Sequence, residues 1–189
     1  MRRVVVTGLG LVTPCGNNVA SAWDAALHAR TGVGPITCFD ASDLSVHAAA
    51  EVKDFTTGDV FDGKELRRTS RFVQFAGVAA NEALLDAGLK DFAGDRDRYG
   101  VSLGVGIGGI AEIEHSANVL RDHGPRRISP FFMPYAIANM AAGVVSRLFH
   151  LKGPNICTTT ACTSGTHGVG EAFLSVSYTH LTLPTILLV

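Results

Sequence analysis

The sequence predicts an α/β fold with helices layered on a largely parallel sheet, and three observations predict it. Short β-branched apolar runs alternate with stretches in which apolar residues recur every three or four positions. The first two runs end in glycine-rich turns, as central strands do on leaving a sheet. Of 189 residues 47% are apolar and only 17% charged, against about 25% charged in ordinary soluble domains, so a large buried sheet system is expected.

Arg2 to Thr7 reads as a central strand leaving the sheet through Gly8-Leu9-Gly10. Asn17 or Asn18 then caps a helix reaching about Ala29. Thr31 to Gly63 is mixed, with turn residues at Gly32, Gly34-Pro35 and Asp40, and is expected to cover the core without forming it. Lys64 to Ala87 reads as one long helix: Phe72, Phe75, Ala76, Ala79, Ala83 and Leu84 recur at helical spacing, and Gly88 stops it. Tyr99 to Gly106 is a second apolar strand, followed by a glycine turn and a helix from about Ala111 to Arg121. Arg126 to Pro134 is a loop, because Pro130 and Pro134 oppose both a regular helix and a central strand. Ile137 to Phe149 is helical, Pro154 to Thr159 is strand-like, and a helix follows Cys162. No internal repeat is visible.

Several function classes fall away on composition. The formal net charge is −1, so no global field marks a nucleic-acid or membrane-surface binder. Cysteines at 15, 38, 157 and 162 lack the C-x2-C spacing of zinc sites and are too sparse for a disulfide scaffold, which points to no metal and to a reducing cytoplasm. Met1 to Val12 faintly imitates a secretory signal, but Thr7, Gly8 and Gly10 interrupt the run and no small-x-small site closes it. No stretch of about 18 apolar residues is present, so no membrane span is expected.

The most informative segment runs from Thr158 to Ala172. Gly165, Gly168 and Gly170 fall inside a predicted helix, where each costs about 1 kcal/mol relative to alanine, so something must approach that helix closely. Cys162 stands where the strand turns into it. The first free N–H groups of the helix would face the sulfur, an arrangement that favours a thiolate and supplies oxyanion donors. Two possibilities remain open for Cys162: a nucleophile, or a buried inert thiol. Gly104, Gly106 and Gly109 satisfy G-x-G-x-x-G between a strand and a helix, but the acidic residue that a dinucleotide site needs about 20 positions on is missing. A plain turn and a nucleotide-binding α/β domain both remain possible there. Lys64, Arg67, Arg68 and Arg71, with Glu65 among them, sit at spacings that share one face of the predicted helix, and Arg126-Arg127 forms a second basic cluster.

Three separated motifs, collinear from Met1 to about Phe173, carry a family resemblance: Val5-Val6-Thr7-Gly8-Leu9-Gly10, the run from Ser129-Pro130-Phe131-Phe132-Met133-Pro134 through Asn139-Met140-Ala141-Ala142-Gly143, and Thr160-Ala161-Cys162-Thr163-Ser164-Gly165-Thr166-His167. Together they resemble the bacterial 3-oxoacyl-[acyl-carrier-protein] synthase II family of condensing enzymes. The resemblance implies the thiolase-like α/β fold, with αβαβα layers built from two similar halves, of which this chain supplies the N-terminal half. It implies that Cys162 accepts an acyl chain as a thioester from acyl carrier protein and that its own N–H serves as oxyanion donor. Malonyl-carrier protein is then decarboxylated and condensed to a 3-oxoacyl product. The phosphopantetheine arm belongs to the carrier, so no resident cofactor is expected. It further implies that Ile107 and Phe132 line the acyl pocket, Phe132 across a homodimer interface, and that Lys64, Arg67, Arg68, Arg126 and Arg127 dock the acidic carrier.

The family's two histidines and lysine for decarboxylation come from its second half, and none of their motifs is present here. His167 lies roughly 140° around the helix from Cys162 and reads as structural. The resemblance also implies that the second half covers the cysteine helix, so the chain by itself, with that small-residue face and much sheet surface exposed or rearranged, is expected to be poorly soluble or molten and not to condense acyl thioesters. A polyketide-type ketosynthase is the alternative within the same chemistry. After Phe173 the sequence departs from the family: Leu174 to Val189 contains no Asp, Glu, Lys or Arg, and Pro184 breaks any helix there. Val176 to Thr185 resembles the conceptual translation of a transposase adapter used in sequencing libraries. Residues 1–173 are thus expected to be the ketosynthase half-domain and 174–189 a non-native read-through tail.

Overall fold

The computed structural model describes residues 3–91 and 93–178. Its centre is a pair of parallel strands, β3 (Val101–Gly104) and β4 (Asn155–Thr158), in register from Val101 opposite Asn155 to Gly104 opposite Thr158. Alternation along β3 sends Val101 and Leu103 to one face and Ser102 and Gly104 to the other. The first face packs on α6 (Met140–Leu148), and α3 (Arg71–Asp86) packs on α6 in turn. The second face packs on α7 (Ser164–Tyr178). The result is a small helix–sheet–helix sandwich.

Small residues let these layers approach. Ala76, Ala80 and Ala83 of α3 join Ala141, Ala142, Val144 and Val145 of α6 and Val101 and Leu103 of β3 in one buried cluster, with Val73 and Val145 fully enclosed. Phe61 also belongs to it, only 3% exposed, although its segment was expected merely to cover the core. Gly77 makes that possible: a Cβ there would stand 2.5 Å from the Phe61 ring.

The helix α1 (Val19–Leu27) starts at Asn18, whose side chain accepts from the Ser21 N–H, as the capping residue predicts. A hairpin of β1 (Val33–Pro35) and β2 (Ala48–Ala50) follows. The long helix expected from Lys64 to Ala87 is two helices, α2 (Gly63–Leu66) and α3, separated by Arg67 to Ser70. No proline or glycine marks that break; tertiary packing places it. Asp62 and Glu65 close a capping box on α2, and Arg147 of α6 pairs with Glu65 at 2.6 Å, while Val73 on α3 turns into the core. Gly88, at φ +67°, follows α3 in the left-handed conformation that a helix stop favours.

Prolines do not keep the segment before α6 fully irregular, contrary to expectation. A 3-10 turn spans Pro125–Arg127 after α4 (Ile110–His123), and α5 (Phe132–Ala136) contains Pro134. Pro134 sits in the first turn, where a backbone N–H has no helical acceptor to lose. The helix expected from Ile137 begins at Met140.

The expected N-terminal strand is absent among the described residues, and with it the expected extensive sheet: only two two-stranded sheets form. Gly8 and Gly10 lie so flat on α3 that a Cβ would come within 2.2 Å of the Ala83 carbonyl and 1.9 Å of that of Ala79. With a helix beneath them instead of a neighbouring strand, the backbone donors go to acidic side chains. The Leu9 N–H donates to Asp86 and that of Leu11 to Glu82, both at 2.9 Å; the second carboxylate oxygen of Glu82 accepts from Val19 N–H at 2.9 Å. Val5 and Val6 are left 54% and 59% exposed.

Candidate functional site

Cys162 lies in a 3-10 turn, Ala161–Thr163, wedged between β4 and α7. A helix follows the cysteine as expected, α7 beginning two residues on at Ser164. The turn is tight. Ala161 adopts φ +54°, a left-handed conformation that costs an alanine about 1 kcal/mol or more, so neighbouring contacts must hold it. The buried Ser164 hydroxyl accepts from Thr160 N–H at 2.8 Å and donates to the Ala161 carbonyl at 2.7 Å. The Thr163 hydroxyl donates to the Thr160 carbonyl at 2.7 Å. Cys162 itself is exposed, which separates it from the inert buried thiol that its residue type alone allows. No protein hydrogen bond engages its backbone N–H among the described residues, leaving a donor available to an oxyanion.

Cys157, in β4, provides the contrast within the same chain. Half burial pushes its thiol up from the ordinary range because the thiolate is poorly solvated there. His167 bridges Thr160, at 3.5 Å from its hydroxyl, and Glu171, at 3.7 Å, and no hydrogen bond joins it to the cysteine.

The glycine turn after β3 packs against this elbow. A Cβ on Gly104 would fall 1.8 Å from the Ser164 carbonyl, and Gly106 faces the Ala161 carbonyl. Gly109 presses on the carbonyl of Tyr135, and Gly108 takes φ +101° against that of Ala136. These glycines are filled by protein backbone, which accounts for the motif without a phosphate. Ile107 is 66% exposed at the tip of that turn, whereas Phe132 is half-buried at the start of α5. A cavity of about 200 Å³ lies between α3, β3 and the N-terminal segment, lined by Phe72, Phe75, Leu103, Val105 and the glycines at 104 and 106; neither Ile107 nor Phe132 lines it.

The basic residues divide. Lys64 and Arg68 border a groove of about 400 Å³ floored by Phe131, Pro134, Met140 and Val144 and joined by Arg147, which sequence reasoning missed because its neighbours on α6 are apolar. Arg68 lies 4.9 Å from the centre of the Phe131 ring, and the Tyr135 hydroxyl donates to the Arg67 carbonyl, so the first basic cluster meets the proline loop that follows Arg126 and Arg127. Arg71 does not share that face once the helix is split. Its guanidinium donates to the Val52 carbonyl at 2.8 Å and stacks on Phe55 and Phe75.

An α/β sandwich with an exposed cysteine at a braced strand-to-helix turn has the architecture of one half of a thiolase-like fold. The comparisons agree with that class: the chain belongs to the beta-ketoacyl synthase family, whose N-terminal domain it matches over residues 1–179. It is 50% identical over 177 residues to a 3-oxoacyl-[acyl-carrier-protein] synthase 2 of Coxiella burnetii, covering 94% of this chain and 43% of that relative. The ishigamide ketosynthase/chain length factor superposes with a TM-score of 0.85 at 29% identity, over 94% of this chain and 44% of that one. A beta-ketoacyl synthase from Burkholderia phymatum gives 0.84 at 26%, over 97% and 46%. The chain therefore spans less than half the length of the relatives it matches. No described helix is long and apolar enough to cross a membrane.

Proposed function

We propose that this chain carries the acyl-accepting half of a condensing enzyme of type II fatty-acid synthesis, with acyl carrier protein as partner. The observation that carries this is Cys162, exposed on a braced turn at the head of α7 with its own N–H unpartnered. The Cys162 thiolate attacks the thioester carbonyl of the acyl carrier. The tetrahedral oxyanion is held by the Cys162 N–H, then collapses; the new S–C bond remains on Cys162 and the carrier's sulfur departs, taking up the proton the cysteine lost. Condensation with malonyl-carrier protein to a 3-oxoacyl product needs proton-handling residues that this chain does not supply. The fatty-acid role is favoured over a polyketide role because the 3-oxoacyl synthase relative is much the more similar in sequence.

Docking of the acidic carrier is proposed at Lys64, Arg67 and Arg68 together with Arg126 and Arg127, supported by the groove that joins Lys64 and Arg68 to the proline loop. Ile107 and Phe132 are proposed to line the acyl pocket in a homodimer in the cytoplasm. Exposed Ile107, Ile110, Ile113 and Met133 give a partner subunit apolar surface to cover. Residues 174–189 are proposed to be read-through: α7 crosses that boundary as far as Tyr178, residues 179–189 lie outside the described ones, and codons for Val176 to Thr185 that do not spell the adapter would overturn the idea.

Incubation with acyl-carrier protein followed by intact mass and peptide mapping tests the acylation. One acyl group is expected on Cys162 and none on the Cys162→Ala chain. Acylation at Cys15 or Cys38 to the same extent would refute the assignment. No 3-oxoacyl product is expected from this chain alone when malonyl-carrier protein is added.

A further inference from the structure

We infer that Ser164 is a positioning residue for the nucleophile, its hydroxyl clamping the Cys162 turn in a strained shape that the backbone would not keep unaided. This rests on the proposed role of Cys162. The hydroxyl takes one hydrogen bond on each side of the turn: it accepts from Thr160 N–H, ahead of the cysteine, and donates to the carbonyl of Ala161, the residue at φ +54° immediately before it. The clamp is itself fixed. Ser164 is 2% exposed, its carbonyl accepts from the Thr158 hydroxyl at 3.4 Å, and the bare α-carbon of Gly104 lies against that same carbonyl.

An alanine at position 164 leaves Thr160 N–H without its acceptor and frees Ala161 to relax toward φ below zero. Relaxation carries the Cys162 sulfur and N–H away from the place that the turn gives them between β4 and α7. A second buried serine on the same helix has no such role: the hydroxyl of Ser177 donates only to Leu174, one turn back and far along α7 from the cysteine.

The four free thiols of the chain make the test internal. Each chain is pulsed with iodoacetamide at one fixed pH, quenched, and read cysteine by cysteine by peptide mass, with urea-unfolded chain giving the reference rates. The native chain is expected to label Cys162 faster than Cys15 and Cys38. Ser164→Ala is expected to slow Cys162 about tenfold while Cys15 and Cys38 keep their rates. Ser164→Thr, which keeps the hydroxyl, restores the native Cys162 rate, and Ser177→Ala leaves it unchanged. Equal labelling of Cys162, Cys15 and Cys38 in the native chain would overturn the nucleophile assignment and the clamp with it. Fast Cys162 labelling that persists in Ser164→Ala would overturn the clamp alone. Should Ser164→Ala label like unfolded chain, Ser164→Thr decides: slow Cys162 labelling in that variant, with Cys15 and Cys38 at native rates, would also overturn it.

Discussion

The two faces of α7 use the same small residues for opposite ends. Toward β3 the helix is closed: Ser164, Gly168 and Ala172 are buried, the Ser102 hydroxyl donates to the Gly168 carbonyl at 2.8 Å, and a Cβ on Gly168 would meet the Gly104 nitrogen at 2.7 Å. Away from β3 it is open: Gly170 has nothing within 4 Å of where a Cβ would stand, and Phe173 and Leu174 are 43% and 46% exposed. A run of helical glycines in sequence therefore carries two meanings, a backbone contact already made and a surface left free. The cysteine turn belongs at the seam, braced by the closed face and exposed at its own tip.

Gly104→Ala tests the closed side most severely. Its new methyl has only backbone to push against, so a loss of about 3 kcal/mol or more is expected in urea unfolding, with slower labelling at Cys162. An unchanged denaturation midpoint would mean that α7 does not sit on β3 as described. Gly168→Ala meets the same strand from the helix side, and a loss of about 1–3 kcal/mol is expected by the same measurement.

Thiol chemistry sharpens the contrast next. Cys157 on the closed side is expected to label about ten times more slowly than Cys162 at neutral pH and to keep gaining rate above pH 9, because its burial disfavours the thiolate. The linked effect on stability has a definite sign. A thiol raised in the folded state contributes stability at pH below its unfolded value, and loses that contribution as pH climbs through the raised one.

Gly170→Ala gives the smallest effect and the opposite sign. With open space to receive the methyl, the helix is expected to gain about 0.5–1 kcal/mol in thermal unfolding of this chain. In a longer relative whose second half lies on that face, the same change is expected to destabilise. A gain in both would show that nothing packs there.

Much of the outline was legible before any coordinates. The Asn18 cap, the apolar face of α3 with its stop before Gly88, and the strand-turn-helix around Cys162 all follow from local rules: hydrogen-bond valence at helix ends, periodicity, and the φ freedom of glycine. What was not legible depends on residues distant in sequence. Nothing near Glu82 or Asp86 announces that they will take the backbone donors of Leu9, Leu11 and Val19 and stand in for a neighbouring strand. Arg71 looked like one more surface cation until Phe55 and Phe75 closed around it.

The sequence by itself determined the family, the place of Cys162 at a strand-to-helix turn and the small-residue character of the helix behind it, because motif and local valence are written in adjacent positions. Only the tertiary structure decided which glycines touch backbone and which face open space, where the basic helix breaks, and how Ala161 is held at positive φ. Those outcomes turn on contacts between segments tens of residues apart, where backbone atoms must share the same few ångströms, and no local pattern encodes that proximity.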